Sequence, residues 1–244
     1  MIMTRTRAIV LRTVKYGDSS LVVDMLTEVM GRMSFMVRLS TSRKGKMRKQ
    51  LFQPLHIVEI DFDYRSNASL QRISDIRIAT PLVSLPFDPY KLSIALFVAE
   101  FVYHATKGEQ ANEPLYKYVE NSISWLDGVK GSFSNFHLVF MIRVSRFIGF
   151  LPNTEDYREG DYFDMQNGCF CQTAPSHSHF LPPNDASKIG MLMRLGYNTM
   201  HLCAMTRADR NRCTEVIMEY YRLHVPGFPE LKSYPVLKQL FAQS

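Results

Sequence analysis

The 244-residue sequence predicts an α+β protein, a small β-barrel followed by a helical domain, and three observations predict it. Short runs rich in β-branched and aliphatic residues, divided by turn chemistry, fill the first eighty positions. Pro81, Pro86 and Pro89 then interrupt every regular pattern. Beyond them the apolar residues follow a helical period or fill segments of helical length. The boundary falls between residues 1–80 and 81–244, with an irregular insertion at about 153–184 in the second part.

Five strands are expected in order. Arg5 to Val14 is the first run, broken by Tyr16-Gly17-Asp18-Ser19-Ser20. Leu21 to Thr27 is the second, with Leu21, Val23 and Met25 on one face. Gly31 opens the third, in which Phe35, Val37 and Leu39 alternate with Ser34, Met36 and Arg38. Pro54 precedes a fourth run, Leu55 to Phe62, and Ser66-Asn67 turns it into a fifth, Ser69 to Ile78. Five short strands with a longer connection between the third and fourth suit a Greek-key barrel of the OB type.

The helices begin with Lys91 to Lys107, apolar almost all round. Asn112-Glu113-Pro114 starts another, which ends at Asp127 before Gly128. Phe136 to Phe147 is a third, closing at Gly149-Phe150-Leu151-Pro152. Segments near Ser187 to Ala204 and Arg207 to His224 follow, the latter with Thr206 and Asp209 spaced as a capping box. Ser233-Tyr234-Pro235 begins a short terminal helix.

Composition narrows the function. At 46% hydrophobic and 21% charged residues the chain is neither disordered nor fibrous. The longest stretch free of charged residues, Met165 to Asn184, carries Pro175, Pro182 and Pro183 and cannot span a bilayer. Arg5 and Arg7 leave no room for a signal-peptide core, and four cysteines are too few for a disulfide scaffold. A cytoplasmic setting without a membrane partner is expected.

Net charge is +6, and its distribution says more than its size. Through Thr80 there are fourteen Lys or Arg against seven Asp or Glu, while the remainder holds fifteen against sixteen. Such a field favours a polyanion. Arg32, Arg38, Arg43, Lys44, Lys46, Arg48 and Lys49 form an acid-free stretch that ends before His56. They are the candidate phosphate contacts, and binding through about four of them predicts a log–log salt slope of about −3 to −4. Phe35 and Phe62 fall with core-facing residues, so Tyr16, Phe52 and Tyr64 are the outward aromatics on which a base could stack.

Two other chemistries have candidates. Glu59, Asp61 and Asp63 share one face of the fourth strand, as a metal-dependent nuclease would need, although half-solvated strands show the same alternation. Cys169 and Cys171 with His177 and His179 offer four zinc ligands, but C-x-C and H-x-H are tighter than the spacing that lets a turn aim both ligands at one ion. No cofactor is therefore expected. Phosphate-binding, dinucleotide-binding, zincin and hydrolase motifs do not occur, which favours a binding protein over an enzyme. An RNA-binding or ribosome-associated OB protein fits the same charge pattern.

Several segments resemble a known family. Arg7-Ala8-Ile9-Val10-Leu11-Arg12, Tyr16-Gly17-Asp18-Ser19-Ser20-Leu21 running on to Glu28, Gly31-Arg32, the basic stretch and Gln53-Pro54-Leu55 resemble the N-terminal domain of the bacterial recombination mediator family RecO. Phe147-Ile148-Gly149-Phe150 is similar to its central helix end, and Leu231-Lys232-Ser233 with Val236 to Phe241 to its closing segment. The resemblance implies an OB-fold joined to a helical domain, and a non-enzymatic role in DNA repair. It implies binding of single- and double-stranded DNA, strand annealing, and work with RecR to load RecA on DNA coated by single-stranded-DNA-binding protein. Arg32 and the basic positions from 43 to 49 match the family's DNA-contacting region. Many members carry a four-cysteine zinc module where this chain has only Cys169 and Cys171. The resemblance also implies a helical-domain site for the coating protein's acidic C-terminal tail; helical spacing points to Phe140, Arg143 and Val144.

Overall fold

The computed structural model describes residues 2–39 and 49–240. Five strands, β1 (Ile2–Tyr16), β2 (Ser20–Thr27), β3 (Gly31–Arg38), β4 (Ile57–Tyr64) and β5 (Leu70–Thr80), close a barrel in the order β1-β2-β3-β5-β4. Every pairing is antiparallel except β3 with β5, which is parallel and lasts only from Ser34↔Leu70 to Met36↔Arg72. Alternate side chains fill the interior, among them Val23, Met25, Phe35, Ile60 and Phe62, all at 0% exposure. Phe35 and Phe62 meet edge to face with centroids 5.2 Å apart, so truncating either would cost about 3–5 kcal/mol. The β2–β3 turn needs Gly31, whose φ is +68° and whose added Cβ would sit 3.3 Å from the backbone of Ala111.

A bulge in β1 decides which way its second half faces. Val10 lies opposite Met25 inside the barrel, but the register slips between Val10 and Arg12, and Arg12 lies opposite Asp24. Strict alternation from Ala8 and Val10 would have aimed Arg12 inward. The extra residue, Leu11, re-aims it outward, as bulges do. Leu11 itself is buried, as is Ile9.

The helices are α1 (Pro89–Ala105), α2 (Glu113–Gly128), α3 (Phe136–Phe147), α4 (Pro183–Arg194), α5 (Arg207–His224) and α6 (Tyr234–Leu240). Pro89, read from sequence as part of the connection, opens α1 instead; Asp88 caps it by accepting from the N–H groups of Tyr90 and Lys91. The helix expected near Ser187 to Ala204 begins and ends earlier, and a 3-10 turn at Met200–Leu202 follows it. Pro183 tolerates the first turn, where its missing N–H has no partner to lose, and Leu195 is already extended. The insertion holds a small sheet of β6 (Tyr162–Asp164), β7 (Cys169–Cys171) and β8 (Phe180–Leu181), ordered β7-β6-β8. Strands of two or three residues are too short to show a period in sequence.

The chain forms two compact units. The first takes the residues up to Gly128 together with Leu231–Leu240. In it α1 packs on β1 and α6 packs on α1. Asp127 accepts from the N–H groups of Val83, Ser84 and Leu85, which fastens the connection after β5, while the buried Lys91 ammonium donates to Ser84 and to the Asp127 carbonyl. The second unit is Val129–Glu230. There Asn135 donates to the Met200 and Cys203 carbonyls and Tyr221 to that of Met141. Thr206 and Asp209 form the expected capping box, and Arg212 pairs with Asp185. No helix among the described residues is long and apolar enough to cross a membrane.

Candidate nucleic-acid interface

β3 and β5 part after Met36 and Arg72, and the seam opens there into a groove of about 350 Å³. Phe52 and Val37 make an apolar floor, while Arg38, Arg72 and Tyr16 stand on the rim with one acid, Asp75. Both arginines are exposed, and Tyr16 is 62% exposed despite its ring. A second depression of about 270 Å³ continues past Arg72 to Arg65. Gln71 builds that end by bonding the Arg65 N–H and the Arg65 and Ala68 carbonyls through its side chain, which fixes the β4–β5 turn. Guanidinium groups suit phosphate oxygens, and a solvent-facing tyrosine beside an apolar floor suits the flat face of a base.

The sequence candidates divide. Arg38 stands at the groove, and Lys49 is exposed, its carbonyl accepting from the N–H of the floor residue Phe52. Arg32 sits near the opposite end of β3, about 20 Å along the strand, where it donates to the Tyr103 carbonyl at 2.6 Å. Arg43, Lys44, Lys46 and Arg48 lie outside the described residues. Arg72 and Arg65 each stand singly in the sequence rather than in a run, so charge patterning does not single them out. Of the three aromatics expected to face outward, Phe52 instead belongs to the core at 2% exposure, and Tyr64 packs partly against it.

Two of the three acids on the face of β4, Glu59 and Asp61, are paired with arginines of the neighbouring strands. Arg5 donates two bonds to Asp61 at 2.7 and 3.1 Å, and Arg77 donates two to Glu59 at 2.6 and 3.2 Å. These are cross-strand neighbours, Arg5↔Asp61 and Glu59↔Arg77. The Arg5 hydrogen bond holds the Asp61 carboxyl below the usual carboxylate range. Two divalent ions would have to displace both arginines.

Nor do the four candidate zinc ligands come together. Among the described residues no group of three or more His, Cys, Asp or Glu side chains is placed to hold a metal ion. His177 Nε2 meets Asp164 at 3.3 Å, and Asp164 also accepts from the Gln166 and Asn167 N–H groups and the Asn167 side chain. His179 lies 3.9 Å from Glu219. Burial pushes the Cys169 and Cys171 thiols up. A polar closure centred on Asp164 organises the β6–β7 turn, where Gly168 at φ +64° leaves room for the Tyr220 hydroxyl. On α3, Phe140 and Val144 are fully buried, so of the three positions chosen for a partner tail only Arg143 reaches the surface, donating to the Leu195 carbonyl.

A five-stranded barrel closed in this order, with an arginine-bearing groove at its parallel seam, defines the class: an OB-like barrel followed by a helical region. The comparisons with known proteins specify it further. The model of the recombination protein O N-terminal domain matches residues 1–82, and that of the recombination protein O C-terminal domain matches residues 86–235. The chain therefore belongs to the RecO family. It is 52% identical to the DNA repair protein RecO of Phocaeicola vulgatus over 98% of this chain and 99% of that protein. Identity is 50% with the same-named protein of Bacteroides fragilis, over 97% of this chain and 98% of that one. With that of Flavobacterium psychrophilum it is 30%, over 98% and 99%.

Proposed function

We propose that the chain acts in DNA repair and homologous recombination as a mediator without covalent chemistry. It binds single- and double-stranded DNA, anneals complementary strands, and helps load RecA, together with RecR, on DNA coated by single-stranded-DNA-binding protein. The observation that carries this reading is the groove at the β3–β5 seam, with Arg38 and Arg72 over an apolar floor and Tyr16 beside them. The basic stretch Arg43, Lys44, Lys46, Arg48 and Lys49 follows β3 in sequence and precedes the floor residue Phe52. Annealing follows from neutralisation: two strands repel through their phosphates, and a cationic surface that leaves base edges open lowers that repulsion. The arginines on Glu59 and Asp61 support binding over metal-dependent cleavage. The helical domain takes the acidic tail of the coating protein, with Arg143 as the available cation of the three positions on α3. The protein works in the cytoplasm, at the nucleoid.

A strand-annealing assay across a salt series, with and without the coating protein, tests the reading. Annealing that falls with salt and is lost in Arg38→Glu/Arg72→Glu is expected. Salt-independent affinity would reject phosphate contact, and a strong preference for RNA of equal length that persists at high salt would replace the reading with an RNA-binding or ribosome-associated factor that reads the 2′-hydroxyl.

A further inference from the structure

The arginines of the barrel fall into two sets. Arg5, Arg7 and Arg77 are matched by carboxylates, respectively Asp61, Glu120 and Glu59. Among the described residues Arg12, Arg32, Arg38, Arg65 and Arg72 have no carboxylate partner. Three of the unmatched set lie at the groove or its continuation; the other two meet on one ring at the opposite end of β3. Arg12 donates to the Tyr103 hydroxyl at 3.1 Å with its guanidinium 5.2 Å from the ring centroid, and Arg32 donates to the Tyr103 carbonyl with its guanidinium 4.6 Å away. Lys107, exposed just past the end of α1, donates its backbone N–H to the carbonyl of His104, whose ring stacks edge-on against Tyr103.

Two acids near the cluster have their oxygens engaged by other donors. Asp24, opposite Arg12 in register, is 8% exposed and takes the Ser34 hydroxyl, while Glu100 is taken by the N–H groups of Lys232 and Ser233. A guanidinium has five donors and each of these spends one on Tyr103; Arg12 is exposed and Arg32 half-buried. Asp24 and Glu100 keep their charge but give neither guanidinium a hydrogen-bonding oxygen, a role that suits an oxyanion from outside.

We propose that Arg12, Arg32 and Lys107 form a second phosphodiester contact, which takes the distal part of the same strand that lies in the groove. The proposal rests on the groove reading and adds a length to it. Arg32 and Arg38 stand on the same outward face of β3, with Phe35 and Val37 turned into the core. Their separation of about 20 Å matches about six nucleotides at the 3.4 Å spacing of a stacked strand. Tyr103 already carries both guanidinium groups, so this end holds backbone rather than stacking a base.

The test is length-dependent binding of thymidine oligonucleotides of about four and about fifteen nucleotides, a range one OB barrel covers. In Arg12→Gln/Lys107→Gln, affinity for the long oligonucleotide should fall about tenfold and its salt slope should flatten by about 1.4, two contacts at 0.7 each, with the short one unaffected. Arg12→Lys/Lys107→Arg, which keeps the charges, should restore most of the loss, and unchanged thermal melting should accompany both variants. Equal weakening of both lengths, or no weakening of the long one, overturns the proposal. So does an acidic peptide whose binding the variant abolishes while long-oligonucleotide affinity holds, since the cluster would then serve a protein tail. Arg38→Glu should weaken both lengths; if it leaves the short one unchanged, the groove reading fails instead.

Discussion

Glu100 accepts the backbone N–H of Ser233 at 2.8 Å and its hydroxyl at 2.5 Å, 133 positions further along the chain. The other carboxylate oxygen takes the Lys232 N–H at 3.0 Å. One carboxylate on α1 thus receives the donors that precede α6, the negative charge sitting at that helix's positive end. Phe97 and Tyr234, with centroids 6.2 Å apart, complete the attachment.

Replacing Glu100 with Ala should therefore loosen the last helix before anything else. Three donors lose their acceptor, and the loss of stability should be about 1–3 kcal/mol. Urea unfolding measures the total; amide exchange should accelerate in residues 234–240 and not in the barrel core. Uniform acceleration throughout would mean that the docking of α6 is inseparable from global stability.

Tyr16→Ala should separate single strand from duplex. Stacking on one aromatic is worth about 1–3 kcal/mol per unpaired base, whereas paired bases cannot reach the ring. Fluorescence anisotropy with single- and double-stranded probes should show a loss confined to the former. Equal losses would assign Tyr16 to backbone contact.

Deleting Leu11 should leave the register of β1 with β2 intact. Arg12 then follows Val10 directly and still faces outward opposite Asp24, so the bulge is lost and the alternation is kept. The cost is that of the missing buried leucine, about 2–5 kcal/mol, as for Leu11→Ala. Circular dichroism should show both variants folded; loss of the barrel in the deletion variant alone would mean that the bulge itself holds the strand.

Acid should erase one ion pair within a defined window. Hydrogen bonds from the Lys188 ammonium, the Thr206 hydroxyl and the Thr206 N–H hold the Asp209 carboxyl at about 2. A carboxyl with a depressed folded-state pKa stabilises above its unfolded value near 4, and loses that contribution as pH falls through its folded value. Asp209→Asn should therefore melt below the parent at neutral pH, with the gap closing between about pH 4 and 2. A gap independent of pH across that interval would place the effect in the capping hydrogen bonds alone.

Chelators should leave the second unit intact. Its β6–β7 turn is closed by Asp164 and its donors rather than by a metal cluster among the described residues. Melting with and without EDTA should coincide, while Asp164→Ala should lower the transition, since four donors would lose their acceptor. A drop on chelation alone would return Cys169 and Cys171 to consideration as ligands.

The barrel was legible because its signals are local. Alternation in Leu21, Val23 and Met25, and in Phe35 and Val37, gave the interior face directly. The helices from Phe136 and from Arg207 likewise announced themselves, one by an apolar run and the other by its capping box. What sequence could not show was anything dependent on a register shift or a distant partner. Arg12 faces outward only because of the bulge, and Phe52 is buried only because the barrel folds over it. For the site, the charge run includes Arg38, which stands on the groove at the end of β3. It could not bring in Arg72, which belongs to another strand and reaches the seam through parallel pairing. It also placed Arg32 with Arg38, although they occupy opposite ends of one strand.

The first compact unit is discontinuous, with residues 129–230 interposed between Gly128 and the returning segment Leu231–Leu240. During synthesis the barrel and its two helices emerge early, yet the piece that covers Phe97 and satisfies Glu100 is translated after the whole second unit. Until the ribosome reaches that piece, the nascent amino-terminal unit carries an uncovered aromatic face and an unengaged carboxylate, and is open to chaperones or proteases.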